Sequence, residues 1–456
     1  MNLTEDTISA VSTPIGPGAI GIVRLSGPRS LEILGRIFRP KVGAFPSKPF
    51  QLRLGYIVDP DMNEVLDEVL VSFMKAPFSY TREDMVEINS HSGIQVISNI
   101  LNLTLRQGAR LARPGEFTYR AFMNGRINLT QAEAVLDLIN ARSKEGLSIA
   151  ISTLEGGLSD KIKMMREELG SCLSELEALI DFPEEEVEVD LEALGKRVQR
   201  EALKIQELLE ANKARKIWME GIHVVIAGQV NAGKSSLLNR IVEAPKAIVT
   251  AIPGTTRDLL EVPYILEGIP VKLVDTAGIG TPKDEAERIG IERAKHTMDE
   301  ADIVLVVVDQ SEGLRSEDLN IWERVKDKAI LVMNKCDLAL KVDPREVETR
   351  FKGQWALVSA LTGEGIPLLK QKIRERLLAG VHGFKERLCP NLRQAEALRN
   401  ALKRLEEFKE LSQHNSPLDI LAQPLWEALR YLDEITGNDV SQEVLDKIFS
   451  SFCIGK

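Results

Sequence analysis

The pattern of apolar and polar positions changes character three times along the chain. Up to about residue 118 it is mixed: 21–25, 68–73 and 85–89 read as strands. Ile94, Ile97, Leu101 and Leu105 carry helical spacing through 93–106. Pro14, Gly16, Pro17, Gly18 and Gly21 punctuate the start, as in a loop-rich front with close backbone approaches. From Tyr119 to about Trp218 the period is helical almost throughout, with glutamates and lysines on the polar faces. Thr130-Gln131-Ala132-Glu133 predicts a capped helix start ahead of an apolar face of Val135, Leu138 and Ile139. The acidic run 181–190 contains Pro183, which breaks a helix, and reads as a solvated connection. From near Gly221 to Leu378 strand patterns alternate with helices, which predicts a doubly wound, parallel-type sheet with one antiparallel edge. Its central buried strand is the nearly continuous β-branched run 303–309. The helical period then returns from about Phe384 to Ser451. Helices before and after an α/β unit predict one helical domain into which that unit is inserted. The expected division is an α/β front domain over 1–118, helical parts over 119–216 and 381–456, and the inserted domain over 217–380.

The inserted unit carries the chemistry. Gly228-Gln229-Val230-Asn231-Ala232-Gly233-Lys234-Ser235-Ser236 fits the phosphate-loop pattern G-x-x-x-x-G-K-[ST], between a strand pattern over 222–227 and a helix pattern over 236–242. Glycines let the backbone fold around a phosphate chain with its N–H groups inward, and the helix N-terminus adds positive dipole. Lys234 can reach the β- and γ-phosphates, and the Ser235 hydroxyl can ligate Mg²⁺. Asp275-Thr276-Ala277-Gly278 follows the strand pattern 271–274, placing a carboxylate near the Mg²⁺ shell and a glycine N–H near the γ-phosphate. Asn334-Lys335-Cys336-Asp337 follows the strand pattern 329–333. The Asp337 carboxylate can accept both N1–H and the exocyclic amine of guanine; adenine offers no such donor pair. Ser359-Ala360 sits where a loop N–H could meet guanine O6. In this order, each after a strand, the motifs specify a Ras-like α/β P-loop GTPase domain that takes GTP.

Composition narrows the surroundings. The chain has 456 residues, 44% of them hydrophobic and 28% charged, as in a soluble multidomain protein with real cores. A net charge of −10 argues against a protein that coats nucleic acid non-specifically, though not against a local basic patch. Basic residues such as Lys385, Arg387, Arg393, Arg399, Lys403 and Arg404 are scattered on helical patterns and usually mark only solvated faces. Cys172, Cys336, Cys389 and Cys453 lie far apart without a CxxC, so neither a zinc site nor a disulfide framework is expected, and a reducing cytoplasm fits. The first residues lack a signal segment, and no apolar run is long enough to span a bilayer.

The whole chain resembles one family, the bacterial and organellar tRNA-modification GTPases called MnmE or TrmE. Asp6-Thr7-Ile8, Thr13-Pro14 and Gly21-Ile22-Val23-Arg24-Leu25-Ser26-Gly27 match its opening. Ala112-Arg113-Pro114-Gly115-Glu116-Phe117 and Gln131-Ala132-Glu133-Ala134 match its domain junction. Asp181-Phe182-Pro183 and Ile289-Gly290-Ile291-Glu292-Arg293-Ala294 occur in it, and the ending Phe449-Ser450-Ser451-Phe452-Cys453-Ile454-Gly455-Lys456 is specific to it. The resemblance implies a folate-binding front domain that also dimerises, a helical domain, and the inserted GTPase. It implies work with an FAD- and NADH-using partner, MnmG or GidA. Together such proteins install an aminomethyl or carboxymethylaminomethyl group on C5 of the wobble uridine of certain tRNAs, using a methylene-tetrahydrofolate. The chain has no flavin fingerprint of its own, which is consistent with an outside redox partner.

Site residues follow from the resemblance. Ras-type GTPases place a water-orienting glutamine after their DxxG. Here Gly278 is followed by Ile279, and the family's hydrolytic glutamate aligns with Glu287, while Asp284 and Glu285 read as solvated acids. In place of an arginine finger the family uses a potassium ion, whose charge can stabilise the transferring phosphoryl oxygens. Its matching ligands are Asn231, Thr250, Ile252 and Thr255, in the loop Thr250-Ala251-Ile252-Pro253-Gly254-Thr255-Thr256. Thr256 completes the Mg²⁺ shell with Ser235, and Arg257 beside it could serve a switch contact. Arg24, Glu87, Arg126 and Lys456 match folate-contacting positions, against ordinary readings as surface or strand residues. Cys453 is expected to be a reactive thiol near the folate and tRNA chemistry. Its competitors are a buried structural thiol and a prenylation box, the latter fitting Gly455 and Lys456 badly. The alternative functions are a ribosome-assembly or signalling GTPase, and a stand-alone aminomethyl transferase with a regulatory GTPase. An assembly factor needs neither the folate-type front nor the Cys453 tail, and Glu364-Gly365 with its neighbours supplies no RNA-binding GxxG signature.

Overall fold

The computed structural model describes residues 6–456 except 17, 44, 46–47, 183–189, 243–260, 276–284, 380–387 and 415, and leaves aside the side chains of 213–214, 261 and 285–291. The chain opens with β1 (Ile8–Val11), β2 (Ile20–Ser26), α1 (Ser30–Ile37), β3 (Phe38–Pro40), β4 (Arg53–Asp59), β5 (Glu64–Met74), β6 (Met85–His91), α2 (Ile94–Arg106) and β7 (Arg110–Leu111). Helices follow: α3 (Glu116–Met123), α4 (Leu129–Asn140), α5 (Lys144–Leu154), α6 (Gly157–Asp181) and α7 (Leu191–Arg215). Next come β8 (Ile222–Gly228), α8 (Lys234–Val242), β9 (Glu261–Leu266), β10 (Ile269–Asp275), α9 (Glu285–Glu300), β11 (Ile303–Asp309) and α10 (Ser316–Val325). The last are β12 (Ala329–Asn334), α11 (Pro344–Phe351), β13 (Trp355–Leu357), α12 (Ile366–Leu378), α13 (Leu392–Gln413), α14 (Leu418–Thr436) and α15 (Gln442–Ser450). No helix among the described residues is long and apolar enough to cross a membrane.

The chain divides into two compact units. One comprises Met1–Leu136, Thr153–Ala202 and Ala397–Lys456; the other comprises Asp137–Ser152 and Leu203–Glu396.

In the first unit, seven strands form one sheet in the order β3-β4-β5-β6-β2-β1-β7. Strand alternation puts Val23, Leu25, Val69, Val71, Val86 and Ile88 on the face that packs against α1 and α2. The register of β2 with β6 sets Arg24 opposite Glu87. The buried side of α2 is Ile97, Ile100, Leu103 and Thr104, whereas Ile94 is 60% exposed. Ile94 fits the apolar spacing, but it is the first residue of the helix and stays out of the core that Ile97, Ile100 and Leu103 join. Helix α4 also starts earlier than its composition suggests. Asn128 is the cap: its Oδ1 accepts from Gln131 N at 2.9 Å, and Gln131 Oε1 accepts from Asn128 N at 3.0 Å. This reciprocal pair is a capping box built on asparagine and glutamine. Thr130 is therefore inside the helix and buried, and Ile139 is 46% exposed.

The second unit holds a six-stranded sheet in the order β13-β12-β11-β8-β10-β9. Five of these strands are parallel, and β9 runs antiparallel to β10 at the edge. Strand β11 is buried at every position, as a central strand covered on both faces must be. Its odd and even residues feed two cores: Ile303, Leu305 and Val307 on one face, Val304, Val306 and Val308 on the other. The parallel arrangement brings the carboxyl ends of β8, β10, β11 and β12 to one edge, where open α/β sheets bind their ligands.

Candidate functional site

All the nucleotide motifs that fall on described residues meet at that edge. Gly228 ends β8, Asp275 ends β10 and Asn334 ends β12. The Lys234 ammonium donates to the carbonyls of Gly228 at 3.2 Å and Gln229 at 2.9 Å, which holds it over the loop. It is 8% exposed; burial pushes its pKa down, and the charge of Asp275 pulls against that. Ser235 Oγ donates to Asp275 Oδ2 at 2.6 Å, and Asp275 Oδ1 is buried without a partner among the described residues. A hydroxyl and a carboxylate with an orphaned oxygen form a hard-oxygen set that fits Mg²⁺. Asn231 adopts a left-handed backbone (φ 67°), a conformation asparagine tolerates, at the exposed crest of the loop.

Asn334 ties three segments together. It is 1% exposed; its Nδ2 donates to Ala232 O at 2.9 Å and its Oδ1 accepts from Ala360 N at 3.0 Å. The contact explains Gly233: a Cβ there would stand 2.3 Å from Asn334 Nδ2, so only glycine allows the amide to reach the loop. Asp337 is exposed and accepts a hydrogen bond from Ser359 Oγ, leaving its carboxylate fixed but open to solvent. Cys336 N donates to Val358 O at 3.1 Å, which registers the two loops. Burial raises the Cys336 thiol pKa, and the carboxylates of Glu364 and Asp337 add to the shift. Thr250, Ala251, Ile252, Pro253, Gly254, Thr255, Thr256, Thr276, Ala277 and Gly278 lie outside the described residues; Glu287 lies in α9 with its side chain outside them.

Residues without a motif also serve this edge. Arg240 of α8 donates from Nε to Ala360 O at 2.9 Å and from Nη2 to Leu361 O, holding the loop after β13. Asp309, at the end of β11, accepts from Lys335 Nζ at 2.5 Å. The one signal for Asp309 was its place closing a wholly apolar strand.

A second convergence lies in the first unit. Arg24 donates from Nε and Nη2 to Glu87 Oε1 at 2.9 and 2.7 Å, as the strand register requires. Its Nη1 donates to Gly455 O at 3.3 Å. The Arg126 guanidinium stands 4.7 Å from the centre of the Tyr80 ring, and that of Arg24 stands 6.0 Å from it. Tyr80 was invisible in the sequence, since a lone tyrosine in a turn carries no pattern. The C-terminal tail closes onto these residues. Phe449 and Phe452 bury themselves with Tyr119, Leu129 and Leu445. Gly115 N then donates to Cys453 O at 3.4 Å and Phe117 N to Lys456 O at 3.2 Å. Gly455 has φ 93°, and a Cβ there would sit 2.1 Å from Val11 O, so the tail passes only as glycine. Ile454 is 51% exposed and does not join the anchor. Cys453 is exposed, which excludes a buried structural thiol; Cys172 and Cys389 are buried, and burial pushes their pKa values up to about 11 and 12.

Around the start of α3 sits an ion cluster that sequence reading missed. Glu116, 4% exposed, accepts from Arg110 Nη2 at 2.6 Å, from Arg120 Nη2 at 3.1 Å and from Arg113 N at 2.8 Å. Burial pushes its pKa up, but these donors outweigh it and hold the carboxyl below its ordinary range. Arg120 also binds Asp6 and Glu83.

The front sheet region, residues 7–126, matches the family described as GTP-binding protein TrmE N-terminus. Residues 129–453 match the MnmE helical domain. The chain belongs to the MnmE family. It is 45% identical over all of its length, and all of theirs, to the tRNA modification GTPases MnmE of Moorella thermoacetica and Carboxydothermus hydrogenoformans. It is 41% identical to that of Enterococcus faecalis, over 99% of this chain and 98% of the relative. Membership of the MnmE family accounts for a chain that couples a phosphate-loop GTPase to a tail-closed front unit.

Proposed function

We propose that this chain is a GTP-hydrolysing tRNA-modification enzyme. With an FAD- and NADH-dependent partner of the MnmG type it adds an aminomethyl or carboxymethylaminomethyl group to C5 of the wobble uridine of certain tRNAs. The observation that carries the reading is full-length likeness to MnmE relatives combined with Asn334 knitting the phosphate loop to the Ser359-Ala360 loop.

In this reading the loop residues Asn231–Ser236 enclose the phosphates, and Asp337 reads guanine beside the Ser359-Ala360 loop. Ser235, Thr256 and, through its hydrogen bond, Asp275 hold Mg²⁺, which supplies charge neutralisation at the phosphates. Asn231, Thr250, Ile252 and Thr255 hold K⁺ where two copies of the GTPase unit face each other in a homodimer. Glu287 orients the attacking water. In the front unit, Glu87 offers a carboxylate, Tyr80 an aromatic face, and Arg24, Arg126 and Lys456 cations. That donor set fits a tetrahydrofolate derivative, whose pterin carries donors and whose glutamate tail is anionic. The folate supplies the one-carbon unit, and Cys453 is an exposed thiol on the strand of tail that contacts Gly115. The cytoplasm, with its reduced thiols and tRNA, is the compartment this chemistry needs.

The test is nucleoside analysis of tRNA from cells lacking the gene. Loss of the C5-modified wobble uridines, restored by the wild-type gene, is the expected result; a normal modification profile overturns the reading.

A further inference from the structure

Asp309 and Asn334 stand opposite each other at the ends of β11 and β12. The residue after Asp309 does more of the holding. Gln310 is fully buried beneath the loop 334–338. Its backbone N–H donates to Asn334 O at 3.1 Å. Its Nε2 donates to Lys335 O at 3.0 Å and to Leu338 O at 3.4 Å. Asp309 Oδ2 takes the Lys335 ammonium, while its Oδ1 accepts from Ser311 N at 2.9 Å and Ser311 Oγ at 2.6 Å. Lys335 has φ 66°, a left-handed conformation unfavourable for a residue with a side chain. The loop is thus pinned on both sides of its strained residue. Gln310 Oε1 is buried with no partner among the described residues. A half-paired buried amide costs stability, so what it contributes is the fixing of two carbonyls.

We propose that Gln310, assisted by Asp309, is a positioning residue for guanine recognition: it sets the backbone on which Asp337 is carried. This rests on the base-reading role proposed for Asp337. Gln310 bonds to loop carbonyls and Asp309 to Lys335 and Ser311, so both would act on the base through the loop. Asp337 must meet two donors at once, N1–H and the exocyclic amine, and hypoxanthine has only the first. A displaced carboxylate loses more with guanine than with hypoxanthine. Loop positioning is therefore read in the ratio of GDP to IDP affinity, which a general loss of stability would leave unchanged.

The experiment is calorimetric titration of full-length protein with GDP and with IDP, for the wild type, Gln310→Met, Asp309→Asn and Asp337→Asn. By releasing two part-buried hydrogen bonds that hold the loop, Gln310→Met is expected to weaken GDP about tenfold and to lower the GDP:IDP ratio by about threefold or more. Asp309→Asn should shift the ratio the same way by less. If Asp337→Asn abolishes guanine preference while Gln310→Met leaves the ratio at the wild-type value, the positioning role is wrong. If Asp337→Asn itself keeps the wild-type ratio, the base-reading role falls and the positioning role with it. Should Gln310→Met fail to fold, Asp309→Asn decides: an unchanged ratio there overturns the proposal.

Discussion

Ser235 and Asp275 meet across a single 2.6 Å hydrogen bond, which joins the first turn of α8 to the end of β10. Replacing Asp275 by Asn keeps a partner for the hydroxyl but removes the charge. Asp275→Asn should raise the Mg²⁺ concentration that half-saturates GTP hydrolysis by roughly tenfold or more, since a charged oxygen contact is worth about 1.5–3 kcal/mol. Hydrolysis rates across a magnesium titration check this; an unchanged half-saturation point removes Asp275 from the metal shell.

Asp337 is held by Ser359 with its carboxylate facing solvent. Asp337→Asn turns an acceptor into a donor and should weaken GTP by roughly 10²-fold or more while admitting xanthosine triphosphate. Direct titration with both nucleotides is the measurement, and equal GTP affinity in the variant would count against the base pocket.

Asn231 stands at the exposed crest of the phosphate loop. GTP hydrolysis should run faster in potassium than in sodium chloride, and Asn231→Ala should erase the difference. Positive charge at this point in other GTPases is worth ~10³–10⁵ in rate, of which the cation is expected to supply part. Equal wild-type rates in the two salts would remove the cation from the mechanism.

What could be read from the sequence was whatever local spacing encodes. The phosphate loop and the buried run of β11 follow from residue type and period alone; the antiparallel edge came with the fold class, not from a strand pattern over β9. Side-chain contacts across the fold do not. Gln310 lies 25 residues from the Lys335 carbonyl it holds, and Tyr80 gains its neighbours Arg24 and Arg126 only when the sheet forms. The start of α4 differs for a related reason: Thr130 and Glu133 have capping-box spacing, but the reciprocal hydrogen bonds are made by Asn128 and Gln131.

The Glu116 cluster makes stability depend on acid. A carboxyl whose folded pKa is depressed below its ordinary 4.5 adds stability above that value, and this is lost as pH falls through the depressed value. The unfolding midpoint should therefore drop steeply below pH ~4.5. Glu116→Gln should lower the midpoint at neutral pH and flatten that slope, without abolishing it, because Asp6 is also held down: burial raises its pKa, and Arg110 and Arg120 outweigh that. Calorimetric scans between acid and neutral pH test the slope; an unaltered slope in the variant would mean the cluster does not couple to folding.

Cys453 is exposed on a tail fixed through backbone groups, so its side chain is not needed to hold the tail. Cys453→Ser should fold and hydrolyse GTP as the wild type does, yet lower wobble uridine modification, because a hydroxyl is a far weaker nucleophile and acid than a thiol near neutral pH. Full modification by the variant would reduce the tail to a closure.

The Arg24 contact with Gly455 also sets a clock. The two residues are separated by 431 positions, and at about 5–20 residues per second a ribosome needs roughly 20–90 s to travel from one to the other. For that interval the nascent front sheet holds its arginine and its Gly115 turn without the strand of tail that completes them. The front sheet, though made first, thus gains its full set of contacts only after residue 455 has been made.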